Sequence, residues 1–156
     1  MRAHEIPVVR TPEGGWHGEM PPLVLAGCTE PLTAGAPDLR GLWRAYRVER
    51  DGEVLPDHRL NRHVERIEQC GDRIVITAGH VIHDMRADGT LEHGVDDVAE
   101  IDLNTRIRVA AVFDGGRLAL YPGGFDPARR PLVTREIIGD ELLWQYAVFT
   151  VRLRKV

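Results

Sequence analysis

"TRIRVAAVFDGGRLALYP", residues 105–122, consists of two short β-type runs on either side of Asp114-Gly115-Gly116. An Asp-Gly pair is a strong signal for a tight hairpin, because both central positions of such a turn favour positive φ. The same alternation continues outward in both directions. Toward the N-terminus lie "TLEHGVDDVAEI", "HVIHDMRA", "DRIVITAG", "HVERIEQ" and "LWRAYRVE"; toward the C-terminus lie "PLVTREII" and "ELLWQYAVFTVRLRKV". "RDGE", "CGD", "ADGT", "PGGFDP" and "IGDE" punctuate them. Turn signals spaced about 8 to 12 residues apart mark an all-β sandwich or barrel. The pattern predicts an antiparallel up-and-down β-barrel of about nine or ten strands: that is more than an open sheet comfortably holds, and closure removes the exposed edges. Only "PDHRLNRHVERI" reads as a short, polar helix.

The regular pattern begins at Gly41-Leu42-Trp43. Before it, residues 1–38 hold six of the ten prolines and the stretch "PEGG", leaving little room for an unbroken helix or a central strand. They read as an extended arm appended to a barrel spanning residues 39–156, with "IPVV" and "PPLVLAG" as apolar pieces able to lie along the wall or cover one end. A chain of 156 residues fits one domain. Its 20 basic and 24 acidic residues are interleaved, giving a net charge of −4, so no basic face is gathered for nucleic acid or an anionic membrane. Cys28 and Cys70 form no C-x-x-C motif, which argues against a disulfide framework or structural zinc and for a reduced, cytoplasmic setting. "LAGC", ending at Cys28, has the small-residue pattern of a lipoprotein cleavage site, but Glu13, His17 and Glu19 precede only a short apolar run, so lipidation is not expected. No segment approaches the ~18 consecutive apolar residues of a spanning helix, and no stable membrane insertion is expected.

Several stretches then fall into a known order. Gly41-Leu42-Trp43 opens the first strand, "VERIEQCGDRIVI" forms a strand-turn-strand, "LEHGVDD" and "FDGGRLAL" follow, and "LVTREIIGDEL" precedes a final "VFTVRLR". In order and spacing these residues resemble the intracellular fatty-acid-binding proteins of the calycin group, over roughly residues 39–156. The resemblance implies a ligand-holding barrel without a cofactor. In that family two inward arginines and a tyrosine hold a ligand carboxylate. The matching positions here are Arg135 and Arg152, with Arg154 in place of the tyrosine. The chain departs from the family in leaving only about 15 residues after the first strand, too few for a two-helix lid, and in showing no turn residue within "LLWQYAVFTVRLRKV".

Strand parity bears on these candidates. If the last segment is one extended strand, Trp144, Tyr146, Arg152 and Arg154 share a face; Val133, Arg135 and Ile137 share another. The pattern also supports the opposite arrangement, with Ala147, Phe149, Val151 and Leu153 inward and both terminal arginines in water. An inward arginine requires an anionic ligand or a compensating acid, for which Glu136 and Asp102 are nearby candidates. In "HVIHD", His80 and His83 fall on opposite faces of a strand, so no metal site is expected there. Trp43 reads as a plug at the closed end. "YPGGFDP" reads as a rim loop, and the acids Asp96, Asp97, Glu100 and Asp102 read as solvated edges. The leading expectation is binding of a small amphipathic molecule, anionic at one end, with Arg135, Arg152, Arg154, Trp144 and Tyr146 as contacts. The alternative is a barrel enzyme, an isomerase or cyclase, which buried titratable groups in the cavity would favour.

Overall fold

The computed structural model describes residues 1–156 and is nearly all β. The strands are β1 (Gly41–Arg50), β2 (Glu53–Val54), β3 (Val64–Cys70), β4 (Arg73–Ala78), β5 (Val81–Arg86), β6 (Val95–Val98), β7 (Arg106–Asp114), β8 (Arg117–Pro122), β9 (Val133–Ile138), β10 (Glu141–Tyr146) and β11 (Phe149–Lys155). Ten of them form one antiparallel sheet in the order β5-β4-β3-β1-β11-β10-β9-β8-β7-β6, with β2 a small flap on β1. Consecutive strands pair, except that β3 pairs with β1 past the β2 flap, β5 and β6 do not pair, and β11 returns to pair with β1. The sheet therefore rolls into a barrel that is closed except for a seam between β5 and β6. The expected helix is only a 3-10 turn, Arg59–Arg62, whose first turn is capped when His58 accepts from the Leu60 amide.

Alternation sorts the side chains. Trp43, Val48, Ile67, Ile74, Ile76, Met85, Val109, Leu118, Leu142, Trp144, Val151 and Leu153 belong to one buried interior cluster. In β1 a bulge lies between Ala45 and Arg47, which lets Ala45 and Val48 both face inward. The last two strands meet in a two-residue hairpin at Ala147-Val148, where Ala147 takes a φ of 52°. No glycine marks this turn, so it is invisible to a reading based on turn residues.

The arm is ordered on the outside of the wall. Ala3, Leu25, Cys70, Val75 and Ile82 form a second buried cluster, with Ile6, Val9, Trp16 and Val24 packed against it. This covers the outer face of β3–β5, which explains why all of β4 is buried on both faces. Arg73 on that face is fully buried; its Nε donates to Asp84 at 2.9 Å, and its other nitrogens donate to Asp84 and to the carbonyls of Ala3, Ile6 and Pro7. The arm also laces the seam. The Val9 amide donates to Asp84 on β5 and the Thr11 amide to Asp97 on β6, both at 2.9 Å. Asp97 is thus buried, not a solvated edge: the strand alternation that puts an acid outward does not foresee a distant segment arriving to donate to it.

Cys28 and Cys70 are joined in a disulfide that ties the arm to the end of β3, with Cα atoms 6.3 Å apart. This corrects the expectation of unpaired cysteines and removes its support for a reduced compartment. The pairing joins residues 42 apart in sequence, a distance at which no spacing motif operates. No helix is long and apolar enough to cross a membrane.

Candidate functional site

The connections at residues 51–63, 79–80, 99–105, 123–132 and 147–148 gather at one end of the barrel, as the antiparallel order requires. Beneath them lies a cavity of about 150 Å³ lined by fifteen residues, eleven of them hydrophobic. Val95, Ile107, Val109, Leu120, Val133 and Trp144 supply most of its apolar wall. Arg59 and Leu60 from the 3-10 turn, Ala99–Ile101, Leu132 and Tyr146 form its mouth. Trp43 sits toward the opposite end, its indole N–H donating to the Leu39 carbonyl at 2.9 Å and Lys155 lying over its ring. Gly41 is required there: its φ is +148°, and a Cβ would come within 2.5 Å of the Lys155 side chain.

Arg135 points inward from β9, as do Trp144 and Tyr146 from β10; all three line the cavity. Arg152 and Arg154 do not join them. Trp144 faces Val151 across the final hairpin and Leu142 faces Leu153, so the inward residues are even-numbered in β10 and odd-numbered in β11. The shared parity of residues 144 and 152 fails because the chain reverses between them. Arg152 instead pairs with Glu49 and Arg154 with Glu141, their side chains 37% and 65% exposed, on the outer wall.

Arg135 is compensated by an acid absent from the local sequence. Glu65, on β3 and without exposed surface, accepts from Arg135 Nε at 2.9 Å and Nη2 at 3.1 Å. The compensating acid is therefore neither Glu136 nor Asp102. Glu65 also bonds His63 Nε2 at 2.7 Å, and the other ring nitrogen of His63 lies 3.3 Å from Glu100. Burial opposes protonation of His63, but the hydrogen bonds to Glu100 and Glu65 outweigh it and push the pKa up to about 9. Burial likewise disfavours the charged form of Glu65, yet Arg135 and His63 hold its pKa down at about 2. Two cations and two anions thus balance within the wall. Glu100, expected in water, forms part of this cluster, and burial that would raise its pKa is outweighed by its bond to His63.

Two polar groups around the cavity remain open, and a third is unpaired but shut away from it. Arg135 Nη1 makes no hydrogen bond, its guanidinium stacking over the Trp144 ring at 4.8 Å. The Trp144 indole N–H is buried without a partner. His83 reaches in from β5 on the same face as Met85, and its Nε2 lies 2.9 Å from the Val98 carbonyl oxygen. A carbonyl only accepts, so the ring proton sits on Nε2 and Nδ1 presents a lone pair that no protein group engages. Burial, reinforced by the Arg135 charge, lowers the His83 pKa and keeps the ring neutral.

The strand order and this site define a nearly closed antiparallel β-barrel with an internal cavity. The solved structure of human cRBP IV, a cellular retinol-binding protein, is similar to it, with a TM-score of 0.56 and 18% sequence identity over 77% of this chain and 99% of that one. At that identity the likeness is one of fold. No family model matches the chain, and no curated protein matches it.

Proposed function

We propose that the barrel binds one small, largely apolar molecule whose polar end meets Arg135. The observation that carries this reading is the internal cavity, dominated by hydrophobic side chains and edged by one donor without a partner, Arg135 Nη1. Removing apolar area from water there is worth about 25 cal/mol per Å². The similarity of fold to a retinol-binding protein supports an internal guest. A hollow of about 150 Å³ takes up a benzene-sized molecule, so the guest matched to this conformation is built on a single ring. The resemblance to fatty-acid-binding proteins implied an anionic head group, but Glu65 already neutralises Arg135. An added anion would have only the remaining edge of a compensated cation, and the head group we infer is therefore polar and uncharged.

Titration of intrinsic tryptophan fluorescence with benzyl alcohol and with benzoate tests this, since the two share a ring and differ in charge. A saturable change with the alcohol, at least tenfold tighter than with benzoate and absent in Trp144→Phe, is expected. No saturable response to either would reject internal binding, and tighter binding of benzoate would restore the anionic head group.

A second reading, a barrel enzyme of the isomerase or cyclase kind, is favoured by one observation: a neutral histidine with an open lone pair faces a cavity that also presents an unpaired Arg135 donor.

A further inference from the structure

The open groups of the cavity are of two kinds with complementary uses. His83 Nδ1 is a lone pair whose tautomer is locked by the Val98 carbonyl. Arg135 Nη1 is a donor, its guanidinium fixed by stacking on the Trp144 indole and by the bidentate grip of Glu65. A carbonyl compound in the hollow can place its oxygen on this donor and an adjacent C–H toward the imidazole. The largely apolar lining lowers the local dielectric, which strengthens both contacts.

We propose that this site catalyses proton transfer at a carbon next to a carbonyl group, with His83 as the base and Arg135 holding the oxygen. The inference rests on the reading that a small ring compound occupies the cavity. In the forward step the α C–H bond breaks and its proton moves to Nδ1, making an imidazolium. The C–H electron pair becomes the new C=C bond, and the carbonyl π pair moves to oxygen, giving an enolate that accepts from Arg135 Nη1. Return of the proton to the same carbon exchanges the hydrogen; return to the γ carbon of a β,γ-unsaturated ketone moves the double bond into conjugation. No oxidant, reductant or co-reactant is involved. The substrate class is a single-ring ketone, the size the cavity admits.

Cyclohexanone is the probe, with α-hydrogen exchange in D2O followed by NMR and its binding followed by tryptophan fluorescence. The wild-type protein is expected to accelerate exchange at least about a hundredfold over buffer, within the range of positioned acid–base catalysis. His83→Gln, or His83→Asn if the first variant melts abnormally, is expected to lose that acceleration. Binding without accelerated exchange overturns the proposed activity and leaves the guest-binding reading standing. Equal acceleration in a folded His83 variant overturns the assignment of the base. Absence of any saturable binding overturns both the activity and the reading beneath it.

Discussion

Glu65 has no contact with water, yet it carries a full charge because Arg135 and His63 converge on it from two sides. Deleting one member of such a cluster leaves its partners charged and unsolvated, which costs about 3–5 kcal/mol. Glu65→Gln is expected to lose stability on that scale in urea unfolding, whereas the double replacement Glu65→Leu with Arg135→Met should lose much less. The cluster also predicts a pH profile. His63 has a folded pKa of about 9 against an ordinary 6.5, so its contribution is complete below pH 6.5 and is lost as pH rises toward 9. Glu65, held at about 2 against 4.5, contributes fully above pH 4.5 and loses its contribution as pH falls toward 2. His83, held below its ordinary 6.5, takes stability away as pH falls under 6.5, so melting temperature should peak near pH 6.5 and decline on both sides, with the alkaline decline removed in His63→Phe. The inward turn of Arg135 was legible because Val133, Arg135 and Ile137 alternate around it. Its partner was not, since Glu65 lies 70 positions away and only the closing of the barrel brings them together.

The strands were legible as elements because each carries its own periodicity and most turns carry their own glycine. The final hairpin was not: Ala147 adopts its positive φ under the constraint of the flanking ladders, without a turn residue to announce it. The arm was readable as non-sheet from its prolines, but its placement depends on Arg73, Asp84 and Asp97, whose significance appears only when residues 3–11 reach them. The disulfide fastens that same segment indirectly, because the Met1 ammonium donates to the Gly27 carbonyl and the Thr29 amide donates back to the Met1 carbonyl. Reducing the Cys28–Cys70 bond, or replacing Cys28 with Ser, is expected to lower stability by about 2–4 kcal/mol. Hydrogen exchange should then quicken at the Val9 and Thr11 amides before it quickens in β10 and β11; uniform acceleration would show that the arm does not move independently. Gly94 tests the other border of the seam. A Cβ there would stand 1.8 Å from the Val109 carbonyl oxygen, so Gly94→Ala should detach the start of β6 from β7 and destabilise the protein.

At the scale of the molecule, ten strands in meander order leave one unpaired seam, and the arm closes it from outside while the interior keeps a small hollow near the open end. A guest bound only to the folded barrel must raise its melting temperature by mass action, with about 2.7 kcal/mol gained at a free concentration a hundred times the dissociation constant. Benzyl alcohol at saturating concentration should give such a shift, read by calorimetry. Closure also sets a rule for the last hairpin. Because β11 is hydrogen-bonded to β10 on one side and to β1 on the other, its inside and outside are specified twice. Sliding β11 by one residue would turn Val151 and Leu153 to solvent and break both ladders at once, so an insertion at Ala147-Val148 has to be absorbed in the turn itself. Variation at this join is thus confined to the loop, and the strand behind it is anchored from both flanks.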